Sequence, residues 1–165
     1  MNASDSGSSQ APNSRPTIPP SPAARVAMVL IGLFALGASI AFYVQADVGA
    51  DPFTVLALGI SNRTGATVGV ATQLVGAGLL ILLLVADRSH IGIGTLLNAV
   101  LVGGSADIVL RFAPRPVSLV STVAMTAAAI LMMGVGVGLY VSGGLGEGAL
   151  EGAMLVLSDR LGIPV

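Results

Sequence analysis

Residues 26–44 read VAMVLIGLFALGASIAFYV, and this stretch decides the fold. Only Ser39 and the hydroxyl of Tyr43 interrupt the apolar run, and no charge falls within it. A helix rises about 1.5 Å per residue and the hydrocarbon core of a bilayer is about 30 Å thick, so this run and its flanks are long enough to cross. A cleavable signal peptide is the competing reading, because Arg15 and Arg25 precede the run and the small residues Ala46 and Ala50 follow it. The apolar region of a signal peptide spans about 7–15 residues, shorter than this one, so a retained span is the better account.

Outward from this segment the pattern recurs. Residues 68–86, 91–112 and 117–141 read as three further spans. The second carries Thr72 and Gln73, the third is weakened by Asp107, and the fourth is free of charge. Composition agrees: of 165 residues 54% are apolar and 9% charged, and the mean hydropathy is +0.92. Soluble domains carry about 25% charged residues, so this chain lacks the polar coat a water-facing surface needs. A net charge of −1 without a basic stripe argues against nucleic-acid binding. There is no cysteine, which excludes disulfides and thiolate chemistry, and with a single histidine, His90, a transition-metal site is not expected. Residues 1–23 are rich in Ser and Pro and read as a disordered tail. Arg15, Arg25, Arg88 and Arg160 on one side against Arg63, Arg111 and Arg115 on the other predict a cytoplasmic tail.

Between the first two spans, residues 52–60 are apolar but too short to cross. Asp51 followed by Pro52 reads as an N-cap and a first-turn proline, so a half-helix is expected there, re-entrant or lying along the interface. An ordinary external loop bearing a short surface helix is the plainer alternative. The same unit returns later in the chain. A shift of 97 residues aligns 37–68 with 134–165 without a gap, with nine identities that include Gly49/Gly146, Ser61/Ser158, Arg63/Arg160 and Gly65/Gly162. Apolar bias accounts for Val and Leu matches, but not for a Ser-x-Arg-x-Gly trio at a fixed distance from a glycine. A second half-helix is therefore expected over 149–160. Three spans separate the starts of the two units, so the second enters from the opposite face and the repeats are inverted. Many secondary transporters share that arrangement, with interrupted segments marking the binding site. Duplication serving packing alone is the alternative. The chain ends where a second copy of span two would begin, which predicts that it is a fragment of a longer architecture.

Candidate functional residues follow from burial cost. A carboxylate inside a span costs about 3 kcal/mol, so Asp107 stands out. Its plain reading is an interfacial pair with Arg111, four residues on along the same helix face; its functional reading is a transport or proton-relay group. Asn98, Thr95 and Ser105 add polarity to the same helix and, like Gln73, read first as interhelical hydrogen-bond formers. Asp51 and Glu151 lie near the starts of the two half-helices, where carboxylates cap free amides; the functional reading makes them a pseudo-symmetric pair facing a central cavity. Arg63 and Arg160 suit the far ends of those helices, as dipole partners and headgroup anchors. Gly134 and Gly138 have the spacing that lets helices approach closely, and Gly49 and Gly146 read as turn residues. No nucleophile, base and orienting group occur together, so no enzymatic activity and no cofactor is expected.

Three stretches resemble the YczE/YitT-like group of uncharacterised bacterial integral membrane proteins: GADPFTVLALGIS (49–61), IGIGTLLNAVLVG (91–103) and GLYVSGGLGEGALEGAMLVL (138–157). The first departs from the usual Pro-Trp-Asp at Phe53 and Thr54. The third has Leu150, Glu151 and Gly152 where Arg-Asp-Gly is usual. The resemblance implies a bacterial plasma-membrane location and an architecture of five or six spans rather than an activity.

The expected fold is thus an all-α polytopic membrane protein. Its membrane domain covers 24–165, with four spans and two half-helices in an inverted pseudo-repeat. The expected partners are the bilayer, a small molecule of unknown identity, and a second copy of the chain. The expected role is a small-solute or ion permease, or alternatively a non-transporting scaffold supporting another complex.

Overall fold

The computed structural model describes residues 21–86 and 92–146, together with Gly148, Met154 and Ser158. All five of its elements are helices: α1 (Pro22–Ala46), α2 (Pro52–Thr64), α3 (Val68–Ala86), α4 (Ile93–Phe112) and α5 (Leu119–Gly143). Four of them, α1, α3, α4 and α5, are long and apolar enough to cross a membrane. The expected second half-helix at 149–160, with Glu151 and Arg160, and the loop histidine His90 lie outside the described residues.

Helix boundaries are set by capping chemistry more than by the ends of the apolar runs. α1 begins inside the stretch expected to be a disordered tail, because Ser21 accepts a hydrogen bond from the Ala24 amide and Pro22 occupies the first turn, where its missing N–H costs nothing. α4 starts later than expected, at Ile93, since the Thr95 hydroxyl folds back to accept from the Gly92 amide. α5 is displaced to Leu119–Gly143 by a reciprocal Ser118–Ser121 cap, and it stops at Gly144 in the left-handed conformation. α2 runs four residues beyond the apolar stretch, to Thr64, and Gly65 at φ 73° ends it. The polar residues Asn62, Arg63 and Thr64 are exposed, so extending the helix leaves them in water.

α1 is the centre of the bundle. It packs on α5 and α4, while α3 packs on α4 and α2 on α3. Along α1 from Val29 through Gly32 to Leu36, the facing residues on α5 run backwards from Gly143 to Gly136, so the two helices are antiparallel. α3 and α4 are also antiparallel, with Gly69 beside Asp107 and Gly76 beside Ala99. Val29, Leu33, Ile40, Val102, Ala106 and Tyr140 form the shared core.

Glycine makes these contacts close. A Cβ at Gly32 would sit 2.7 Å from the Gly136 carbonyl oxygen, and one at Gly37 would sit 2.5 Å from that of Val102. In lipid, apolar surface gains little by leaving its solvent, so such backbone approach and interhelical hydrogen bonds hold the bundle. Gln73 donates 2.8 Å to the Val100 carbonyl, and Gln45 donates 3.0 Å to that of Ala113 at the end of α4. The outer faces carry Ile31, Leu82, Val100 and Leu131, all exposed, as a lipid-facing surface requires.

Among the described residues Gly134 and Gly138 do not make the expected approach. Both are exposed, with nothing within 4 Å of an added Cβ; Gly136, between them, faces α1 instead. A spacing of four puts two residues on one helix stripe, and here the odd residue of the GVGVG run is the one turned inward.

Candidate functional site

Asp51 caps α2. One carboxylate oxygen accepts from the amides of Phe53 and Thr54, each at 3.0 Å. The other accepts from the Thr54 hydroxyl at 2.5 Å. Such bonding is what the Asp-Pro start leads one to expect, and it gathers the polar first turn of α2 into one compact group. Val48 to Ala50 supply the turn, with Gly49 at φ 107°, a conformation that disfavours any side chain.

The first turn of α2 opens onto a cavity of about 260 Å³. Its walls come from all five helices: Leu36 and Ile40 of α1, Phe53 and Thr54 of α2, Gly76 of α3, Asn98 and Val102 of α4, and Met133 and Val137 of α5. Those residues of α1, α3 and α5 lie in the central turns of their helices. α2 thus packs along α3 with its first turn bordering this half-open cavity and its polar C-terminal end exposed. Thirteen residues make it about 20 Å long, short of a crossing.

Two expected site residues, Asp51 and Asn98, thus meet at one cavity. Asn98 is half-buried there, and its side-chain amide has no hydrogen bond among the described residues. Gln73, for which the same interhelical role is expected, does make such a bond, to the Val100 carbonyl. Ser105 also reaches across helices: its hydroxyl lies 3.5 Å from the Leu33 carbonyl of α1, besides donating 2.6 Å to the Leu101 carbonyl of its own helix, and Thr95 caps the start of α4.

Asp107 lies elsewhere and pairs differently from expectation. Its carboxylate accepts from the Thr67 hydroxyl at 2.6 Å and from the Gly69 amide at 2.8 Å. It caps the start of the neighbouring helix α3 and forms no ion pair with Arg111. The free amides and the positive dipole end of α3 come closer to the carboxylate than the exposed guanidinium four residues along. Gly146, at φ 130°, packs against Gly92 beside the start of α4, where the Gly94 amide donates 2.8 Å to the Leu145 carbonyl.

Sequence reasoning missed Thr54 and Gly76. The Asp-x-x-Thr spacing carried the signal for Thr54, since the third residue after an N-cap faces the capping side chain. Gly76 had no local signal, because only the crossing of α3 past the cavity gives it a role.

These features define a polytopic helical membrane protein with a short capped helix packed beside its long helices. Residues 23–165 match the model of DUF6198, a family of unknown function, and the chain belongs to that family. It is 28% identical over 130 residues to the uncharacterized membrane protein YczE of Bacillus subtilis, covering 79% of this chain and 60% of the relative. It is 27% identical over 140 residues to an uncharacterized protein of Haemophilus influenzae, covering 85% of this chain and 64% of the relative. The matched part is thus less than two thirds of either relative's length. No solved structure matches the chain.

Proposed function

We propose that this chain forms the substrate-binding part of a small-solute or ion permease in the bacterial plasma membrane, with its N-terminal tail in the cytoplasm. One observation carries the reading: a helix too short to cross points its capped N-terminus into a cavity walled by the four long helices. Secondary transporters place substrate sites at such interrupted segments. The antiparallel course of α1 and α5, which begin the two copies of the sequence repeat, supports the inverted arrangement. The argument is architectural, and fold alone assigns no substrate. Enzymatic chemistry is no part of this reading: among the described residues the cavity is lined by a carboxylate, a hydroxyl and an amide, with no activated nucleophile.

A second reading, a non-transporting scaffold, draws on the open stripe at Gly134 and Gly138. In that reading a helix of a second copy or of another membrane protein covers the outer face of α5. Purified protein in proteoliposomes, screened for uptake and counterflow of labelled amines, amino acids, sugars and inorganic ions, separates the two. Saturable flux of one class supports the permease. No flux of any class, with stoichiometric co-purification of a partner from the membrane, supports the scaffold.

A further inference from the structure

We infer that the cavity at the first turn of α2 takes a small organic cation, a primary ammonium on a short apolar body. The inference rests on the binding role proposed for this cavity and deepens it by naming the ligand class.

The sign of the charge comes first. A helix N-terminus carries about +0.5 of an elementary charge and ordinarily attracts an anion. Here that anion is built in. Asp51 already accepts from the two amides, those of Phe53 and Thr54, that an anionic ligand would use. A full carboxylate charge against about half a dipole charge leaves the site negative. Among the described residues no Arg or His lines the cavity to reverse the sign.

The number and kind of ligand atoms come next. A carboxylate offers about four lone-pair positions. Asp51 uses three, two on one oxygen for the amides and one on the other for the Thr54 hydroxyl, so one remains. The Thr54 hydroxyl retains its own lone pairs, and Asn98 brings an amide carbonyl that meets no other donor among the described residues. That gives three acceptor groups for the three donors of an ammonium. A hard divalent cation demands about six or more oxygens, more than the described lining residues offer. The remaining walls, including Leu36, Met133 and Val137, are apolar and suit an alkyl body rather than a hydrated ion.

The test is calorimetric titration of the chain in nanodiscs with n-butylammonium, n-butanol, butyrate and potassium chloride. Asp51→Asn keeps the amide-capping oxygen, since Asn caps as well as Asp, and removes the charge and the acceptor of the Thr54 hydroxyl; unchanged far-ultraviolet dichroism checks that α2 is retained. The expected result is saturable binding of butylammonium alone, weakened at least tenfold by Asp51→Asn and by Asn98→Leu. Tighter binding of butyrate or butanol, equal competition by potassium, full affinity in Asp51→Asn, or no binding of any probe overturns the inference. Counterflow of labelled butylamine in proteoliposomes separates it from the permease reading. Binding without flux upholds the ligand class and overturns transport. Flux of a neutral or anionic solute without amine binding overturns the ligand class and leaves transport standing.

Discussion

Replacing Asp107 by alanine tests whether this carboxylate is a cap between helices or half of an ion pair. The substitution removes two hydrogen bonds to the start of α3, from the Gly69 amide at 2.8 Å and the Thr67 hydroxyl at 2.6 Å. A bond to a charged acceptor contributes about 1.5–3 kcal/mol when partly sheltered. The Gly69 amide is sheltered and has no second acceptor, whereas Thr67 is exposed and its hydroxyl can turn to solvent or headgroups. Most of the loss therefore comes from the amide, and Asp107→Ala is expected to destabilise the bundle by about 2 kcal/mol. Asp107→Asn retains one carbonyl acceptor for the Gly69 amide and loses the charge at the dipole end and the acceptor of the exposed Thr67 hydroxyl, so it is expected to cost about 1 kcal/mol. Arg111 is exposed and makes no ion pair with Asp107, so Arg111→Ala is expected to stay within about 0.5 kcal/mol of the parent. Unfolding in mixed micelles, titrated with sodium dodecyl sulfate and followed by circular dichroism, measures all three. An Arg111→Ala loss equal to that of Asp107→Ala would refute the cap and restore the ion pair. A neutral Asp107→Ala would show that neither bond contributes.

Two further predictions concern the glycines. Gly37→Val places a branched side chain against the Val102 carbonyl and the Ala106 amide, both rigid backbone, and is expected to cost at least about 2 kcal/mol in the same titration. Survival of the variant at parental stability would show that α1 and α4 are not in close contact. Gly134→Ala and Gly138→Ala meet open space and sit in a helix interior, so each is expected to stabilise the isolated chain by about 0.5–1 kcal/mol. Destabilisation, or a change in oligomer size on crosslinking, would mean that this stripe contacts another helix.

Much of the architecture was legible because lipid imposes a strict rule. An apolar run long enough to cross must close its own backbone hydrogen bonds, so composition and length alone marked out α1, α3, α4 and α5. The Asp51-Pro52 pair likewise marked the start of α2, because an N-cap depends only on residues three positions apart. Helix ends shifted where side-chain caps such as Ser118 with Ser121 outweighed hydropathy.

The partners of Asp107 were not legible. Two groups four residues apart on one helix invite pairing, yet the winning contacts come from Thr67 and Gly69, forty and thirty-eight positions away. The same holds for the glycines. Periodicity identifies a stripe but not which side of the helix the neighbour occupies, so Gly136 rather than Gly134 and Gly138 meets α1.

By itself, then, the run at 26–44 and its counterparts determined a helical membrane protein, since the bilayer acts on each segment separately. Only the tertiary structure decided that the first turn of α2 meets Asn98 at a cavity between the helices. That meeting depends on how four helices cross, which is set by close backbone contacts between residues far apart in the chain.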